Sequence, residues 1–63
     1  LYNLTIKYNI LDKISNLIYE GGGLILERNF DTNIQLTAKL TNELAEYIND
    51  NFPTVKINSL RNN

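Results

Sequence analysis

The spacing of apolar residues along this chain switches from two to between three and four, returns to two, and then repeats the cycle. "LYNLTIK" alternates Tyr2, Leu4 and Ile6 against Asn3, Thr5 and Lys7, the period of a strand with one buried face. "NILDKISNLIYE" places Ile10, Leu11, Ile14, Leu17 and Ile18 on one helical stripe, with Asp12, Lys13, Asn16 and Glu20 pointing away. Asn9 is the expected N-cap, with Asp12 where a capping box sets its acid, and the helix is expected over Ile10 to Glu20.

Three consecutive glycines follow, Gly21, Gly22 and Gly23. A glycine loop that cradles phosphate feeds the N-terminus of a helix, where free amides and the positive end of the dipole meet the anion. Here the glycines come after a helix and before a strand, without the lysine and hydroxyl of a Walker motif. They read as a helix stop and chain reversal.

"LILERNF" is the second strand and "NIQLTAKL" the third, with Ile34, Leu36 and Ala38 inward and a hairpin turn around Asp31 and Thr32. Leu24, Ile25 and Leu26 are all apolar and Arg28 shares parity with Leu26 and Phe30, so a bulge or an edge position is needed to reconcile the second strand with a single core face. "TNELAEYINDN" is a second helix capped by Thr41, with Leu44, Ala45, Tyr47 and Ile48 inward and Asn51 as a left-handed stop. "FPTVKIN" closes as a fourth strand, Val55 and Ile57 inward, with Pro53 tolerated near its start or at an edge.

Strand, helix, strand, strand, helix, strand, joined by right-handed crossovers, gives an α+β ferredoxin-like βαββαβ plait. Its sheet is four-stranded and antiparallel, in the order 4-1-3-2, with both helices on one face. At 63 residues there is room for one domain with one modest core. The expected core is Leu4, Ile6, Ile14, Ile18, Ile34, Leu36, Leu44, Ile48, Val55 and Ile57. The chain opens directly in a strand pattern at Leu1, so residues 1–63 read as a single domain from the C-terminal part of a longer protein. No apolar run approaches the roughly 20 residues that span a bilayer. The expectation is a cytoplasmic setting with no membrane contact.

With the core pattern set, "YNILDKISNLI", the glycine turn, "ILERNFDTNIQLTAKL" and "TNELAEYIND" resemble the small C-terminal domain of the IMPACT/YigZ family of bacterial proteins. Tyr8, Leu11, Gly22, Phe30, Ile34 and Leu36 carry the resemblance, which covers nearly the whole chain. It implies an N-terminal domain elsewhere in the same protein and a link to translation or RNA, because a domain of this type is similar in fold to a domain of elongation factor G. Relatives enter the second helix through a proline and leave it through a glycine turn, where this chain has "LTNE" and "NDNFP". The resemblance supplies no catalytic residues.

The composition argues the same way about catalysis. Histidine and cysteine are absent, so general acid-base chemistry would fall to carboxylates and nucleophilic attack to a hydroxyl without an imidazole. No enzyme, cofactor or metal site is expected. Glu43, Glu46 and Asp50 on one helix face read as a solvated face, since calcium needs about six to eight oxygens from a folded loop. Tyr2, Tyr8, Tyr19 and Tyr47 read as core or rim aromatics.

Net charge is -1, but the charges are segregated. Asp12, Glu20, Glu43, Glu46 and Asp50 fall on predicted helices, and Lys7, Lys39 and Lys56 on predicted strands at outward parity. Thr5, Gln35, Thr37 and Thr54 join the lysines on the expected open sheet face. This is the candidate surface for RNA, the ribosome or another protein, against the plainer reading of a sheet that faces water. The outward positions of the first and third strands carry no aromatics, so base-specific reading of the RNA-recognition type is not expected. Three functions fit these residues: a non-catalytic RNA- or ribosome-binding accessory module, a protein-interaction or dimerisation module, and a small-molecule regulatory domain of the ACT type. The glycine-bearing ligand loop of the last is replaced here by "KYNIL".

Overall fold

The computed structural model describes residues 1–60. Strand β1 (Tyr2–Ile6) is followed by a 3-10 turn (Tyr8–Ile10), helix α1 (Leu11–Glu20), strands β2 (Leu24–Phe30) and β3 (Ile34–Lys39), helix α2 (Asn42–Asn51) and strand β4 (Lys56–Ser59). The sheet runs β2-β3-β1-β4 with every pair antiparallel. This is the expected plait, read from the opposite edge.

The core forms where the alternation of the central strands meets the helical stripes. Leu4, Ile6, Leu36, Ala38 and Ile34 from the sheet close over Ile14, Ile18 and Ile48 from the helices, with Ile25 and Val55 completing the cluster. Eight of the ten expected core residues are buried, while Leu44 and Ile57 pack against the cluster half-buried. The hydroxyl of Tyr2 donates to the side-chain carbonyl of Asn42, tying β1 to the start of α2. The Lys13 ammonium lies 5.9 Å from the centre of the Phe52 ring, bridging α1 and the end of α2.

The glycine run stops α1 by a Schellman arrangement. The amide of Gly23 donates to the carbonyl of Ile18 at 2.8 Å and that of Gly22 to Tyr19 at 3.1 Å. Gly22 takes the left-handed backbone, φ +82°, that the motif requires. Gly23 brings the chain so near β3 that a Cβ there would lie 2.6 Å from the carbonyl oxygen of Lys39.

Strand β2 contains both devices that its pattern called for. It is an edge strand, and its register against β3 shifts between Ile25 and Glu27, which oppose Ala38 and Thr37. Leu26 is the extra residue. The bulge exchanges parity, so Ile25 reaches the core while Arg28 and Phe30, opposite Leu36 and Ile34, stay on the helix side of the edge.

Some local expectations are corrected. Asn9 does not cap α1: it sits inside the 3-10 turn, and the helix starts after Ile10 with no side-chain cap. Ile10 and Leu11 both pack on the core, which fixes the entry path more strongly than one capping bond would. Thr41 does cap α2, its hydroxyl accepting from the Leu44 amide at 3.1 Å. Asn51 is not a left-handed stop. It is the last helical residue, its side-chain amide donating to the Tyr47 carbonyl at 2.8 Å. The helix ends at Phe52 (φ -129°, ψ 80°), because the ring of Pro53 disfavours helical backbone in the residue before it. Tyr47, expected inward, is about half exposed. The fourth strand begins only at Lys56, so Pro53 and Thr54 lie in the turn before it.

Candidate binding surface at the end of the sheet

The register defines the open face row by row. One row crosses Lys56, Thr5, Gln35 and Asn29, and the next crosses Asn58, Asn3, Thr37 and Glu27. A last pair, Lys39 and Leu24, lies beside the glycine turn. The face is polar and free of aromatics, but it is not uniformly basic, since Glu27 stands beside Thr37.

The three lysines do not form one patch. Lys39 is four residues beyond Gln35 on β3, about 13 Å along the strand from the row that holds Lys56. Lys7 lies just past the end of β1 and Thr54 just before β4, so neither belongs to the strands on which sequence parity placed them. They nevertheless come together. Lys7, Lys56, Thr5 and Thr54 line one depression of about 160 Å³ with Asn33 and Ile6, and no carboxylate lines it. Gln35 adjoins it through Thr5, whereas Thr37 and Lys39 are separate from it.

A second, larger depression of about 470 Å³ adjoins the first and shares Ile6, Lys7 and Asn33 with it. Its remaining lining is Tyr8, Phe30, Asp31, Thr32 and Ile34. Tyr8 is 82% exposed and Phe30 59%, although Phe30 is the cross-strand partner of the core residue Ile34. Sequence reasoning placed Tyr8 among core or rim aromatics and gave Phe30 no part in the site, although a phenylalanine at the edge-strand end beside a three-residue turn was the available signal. Of the residues that carry the family resemblance, Ile34 and Leu36 are core and Gly22 holds the positive φ, while Tyr8 and Phe30 are on the surface.

At the opposite corner Leu24 and Leu26 are each 51% exposed on the edge strand. Among the described residues, no group of three or more acids is gathered so as to hold a metal ion, and Glu43, Glu46 and Asp50 remain exposed on α2. No described helix is long and apolar enough to cross a membrane.

The sequence matches no family model and no curated protein. Among solved structures, the fold is similar to the crystal structure of a hypothetical protein, with a TM-score of 0.78 at 18% identity. The similarity covers 98% of this chain and 32% of the other, so the chain spans about a third of the length of the protein it matches. At that identity the likeness speaks for the fold alone, and the fold is the ferredoxin-like plait.

Proposed function

We propose that this domain is a non-catalytic accessory module of a larger protein of the IMPACT/YigZ type, and that it contacts RNA, free or ribosomal, through phosphates. The observation that carries this reading is the convergence of Lys7 and Lys56 with Thr5, Thr54 and Asn33 around one depression free of carboxylates. Five of the seven acids lie on α1 and α2. A backbone phosphate at this corner therefore meets two ammonium groups and short hydroxyl donors. Such contacts position a strand without reading its sequence. The similar crystal structure holds the same fold as 32% of a longer chain, which supports the accessory reading.

The test is the salt dependence of binding to single-stranded RNA. Two phosphate contacts give a slope of log affinity against log salt of about -1.4, at roughly -0.7 per contact. The Lys7→Gln, Lys56→Gln double variant flattens that slope, and Lys39→Gln leaves it unchanged. A parent chain that binds no RNA at low salt refutes the reading.

A protein-interaction reading is favoured by one different observation, the exposure of Leu24 and Leu26. The bulge and the adjacent Glu27 and Arg28 oppose strand-to-strand pairing along β2, so a partner of either kind, a second copy included, would sit on the face beside these leucines. Self-association abolished by Leu24→Ser with Leu26→Ser, in a chain that ignores RNA, would put this reading first. The ACT-type alternative gains no such support, because β1 leads into the 3-10 turn without a glycine.

A further inference from the structure

We infer that the depression between Tyr8 and Phe30 is a stacking site for a nucleobase of single-stranded RNA, extending the phosphate corner into a nucleotide-sized subsite. The inference rests on the phosphate reading and adds to it a base platform away from the open sheet face.

Its first ground is the cost of exposure. Burying a phenylalanine is worth about 1.5–3 kcal/mol. Phe30 forgoes most of that on a chain whose other phenylalanine, Phe52, packs against the core. Tyr8 is the most exposed large hydrophobic residue among those described, in a 3-10 turn that contributes no buried residue of its own. Two aromatic rings thus line one depression with most of their surface left outside the core.

The second ground is geometric. Ile6 and Ile34 are cross-strand partners and form an apolar floor at the end of the sheet, with Phe30, the next partner across β3, at its edge. Tyr8 rises two residues beyond Ile6. A volume of about 470 Å³ lies within the range of small-ligand sites. Every base has a π-face, so stacking on such rings tolerates sequence, as the phosphate contacts do.

Charge sets the direction. Lys7 and Asn33 line both depressions, and Lys56 lies on the far side of the smaller one. Asp31, next to Phe30, would repel a phosphate at that end. The base therefore lies toward Phe30 and Tyr8, and the phosphate toward Lys7 and Lys56. Asp31 and Thr32 are left as acceptors for ribose hydroxyls or exocyclic amines.

The experiment compares an oligouridylate of about six nucleotides with a ribose-phosphate strand of the same length that lacks bases, each titrated against the chain at low salt and followed by tyrosine fluorescence and anisotropy. The expected result is that the base-free strand binds at least tenfold more weakly. Tyr8→Leu and Phe30→Leu should each weaken the oligouridylate by about tenfold while leaving the base-free strand unchanged. Equal binding of the two strands, with no effect of either leucine variant, overturns the stacking site and leaves the phosphate reading standing. Binding of neither strand overturns both. A chain that instead self-associates, and becomes monomeric on Phe30→Leu, assigns the aromatic pair to a protein contact and also overturns the inference. Both aromatics are exposed, so circular dichroism of the variants should match the parent.

Discussion

Replacing each glycine of the turn by alanine separates three physical demands that look identical in the sequence. At Gly23 the new Cβ would lie 2.6 Å from the Lys39 carbonyl oxygen and 3.0 Å from both the Ile18 carbonyl oxygen and its Cγ2. An unstrained carbon-oxygen contact needs about 3.3 Å, so backbone must yield by about 0.7 Å. Neither oxygen belongs to a side chain that could swing away. Lys39 is paired with Leu24 in the first rung of the β2-β3 ladder, and the Ile18 carbonyl accepts the Gly23 amide itself. Losing one such bond costs about 0.5–1.5 kcal/mol and overpacking about 1–3 kcal/mol. The reduced entropy of the unfolded chain returns about 0.4–1 kcal/mol. The net loss for Gly23→Ala is about 0.5–4 kcal/mol, with a mid-range value of about 2 kcal/mol, against a total stability of about 3–9 kcal/mol for a chain of this length. Gly22→Ala meets nothing within 4 Å and suffers only the left-handed backbone at φ +82°, about 1–2 kcal/mol. Gly21→Ala meets the Leu44 Cδ2 at 2.8 Å, the end of a half-buried side chain that can rotate, and the Leu17 carbonyl oxygen at 3.2 Å, which needs to give by only a few tenths of an ångström, and it costs least. Urea unfolding followed by circular dichroism should therefore rank the midpoints Gly21→Ala, Gly22→Ala, Gly23→Ala from highest to lowest. A Gly23→Ala midpoint equal to the parent's, or above that of Gly22→Ala, refutes the close-approach argument.

Leu36→Ala removes a fully buried side chain on a central strand and should cost about 2–5 kcal/mol. Ile34→Ala, which borders the larger depression, should cost less, and the two unfolding midpoints decide. Thr41→Ala removes the only side-chain cap of the two α-helices and should lower stability by about 1 kcal/mol, with Thr41→Ser close to the parent.

The order of elements was legible because hydrophobic period is a repeated signal, carried by many residues in each segment. The sheet order followed from handedness once that order was known. Features resting on one residue were less secure. Asn9 offered a capping side chain, but Ile10 and Leu11 had apolar surface to bury, and the chain coiled into a 3-10 turn instead. Asn51 carried a left-handed propensity that the helix did not use, because the restriction imposed by Pro53 already ended it. The bulge was inferable from the conflict between Ile25 and Leu26, yet only pairing with Ala38 and Thr37 decides which of them is buried. Parity told which face Lys39 would take but not its distance from Lys56, so the single candidate face divides into one corner with two lysines and one distant lysine. The parity of Phe30 with Leu26 and Arg28 left its face open, and only the register and the edge position show a ring on the helix side, opposite Ile34, that is nonetheless largely exposed.

The two ends of the sheet divide the work of the chain. At the glycine end, backbone approaches backbone and the register of β2 is fixed, so change there is felt throughout the ladder. At the end that bears Tyr8 and Phe30, the hydrophobic floor is supplied by Ile6 and Ile34, which the core already holds. Lys7, Tyr8, Phe30, Asp31, Asn33, Thr54 and Lys56 are exposed, and none of them is in the core cluster. Stability in this domain comes from β1, β3 and the helices, whereas the candidate ligand contacts sit on strand ends and turns that rest on them. Exposed substitutions away from such structural features usually shift stability by no more than about 0.5 kcal/mol. Binding and folding are therefore separable here: a variant at the aromatic and lysine end that loses RNA while keeping the parent's unfolding midpoint reports on recognition, whereas one that loses both would mean that these side chains hold the fold after all.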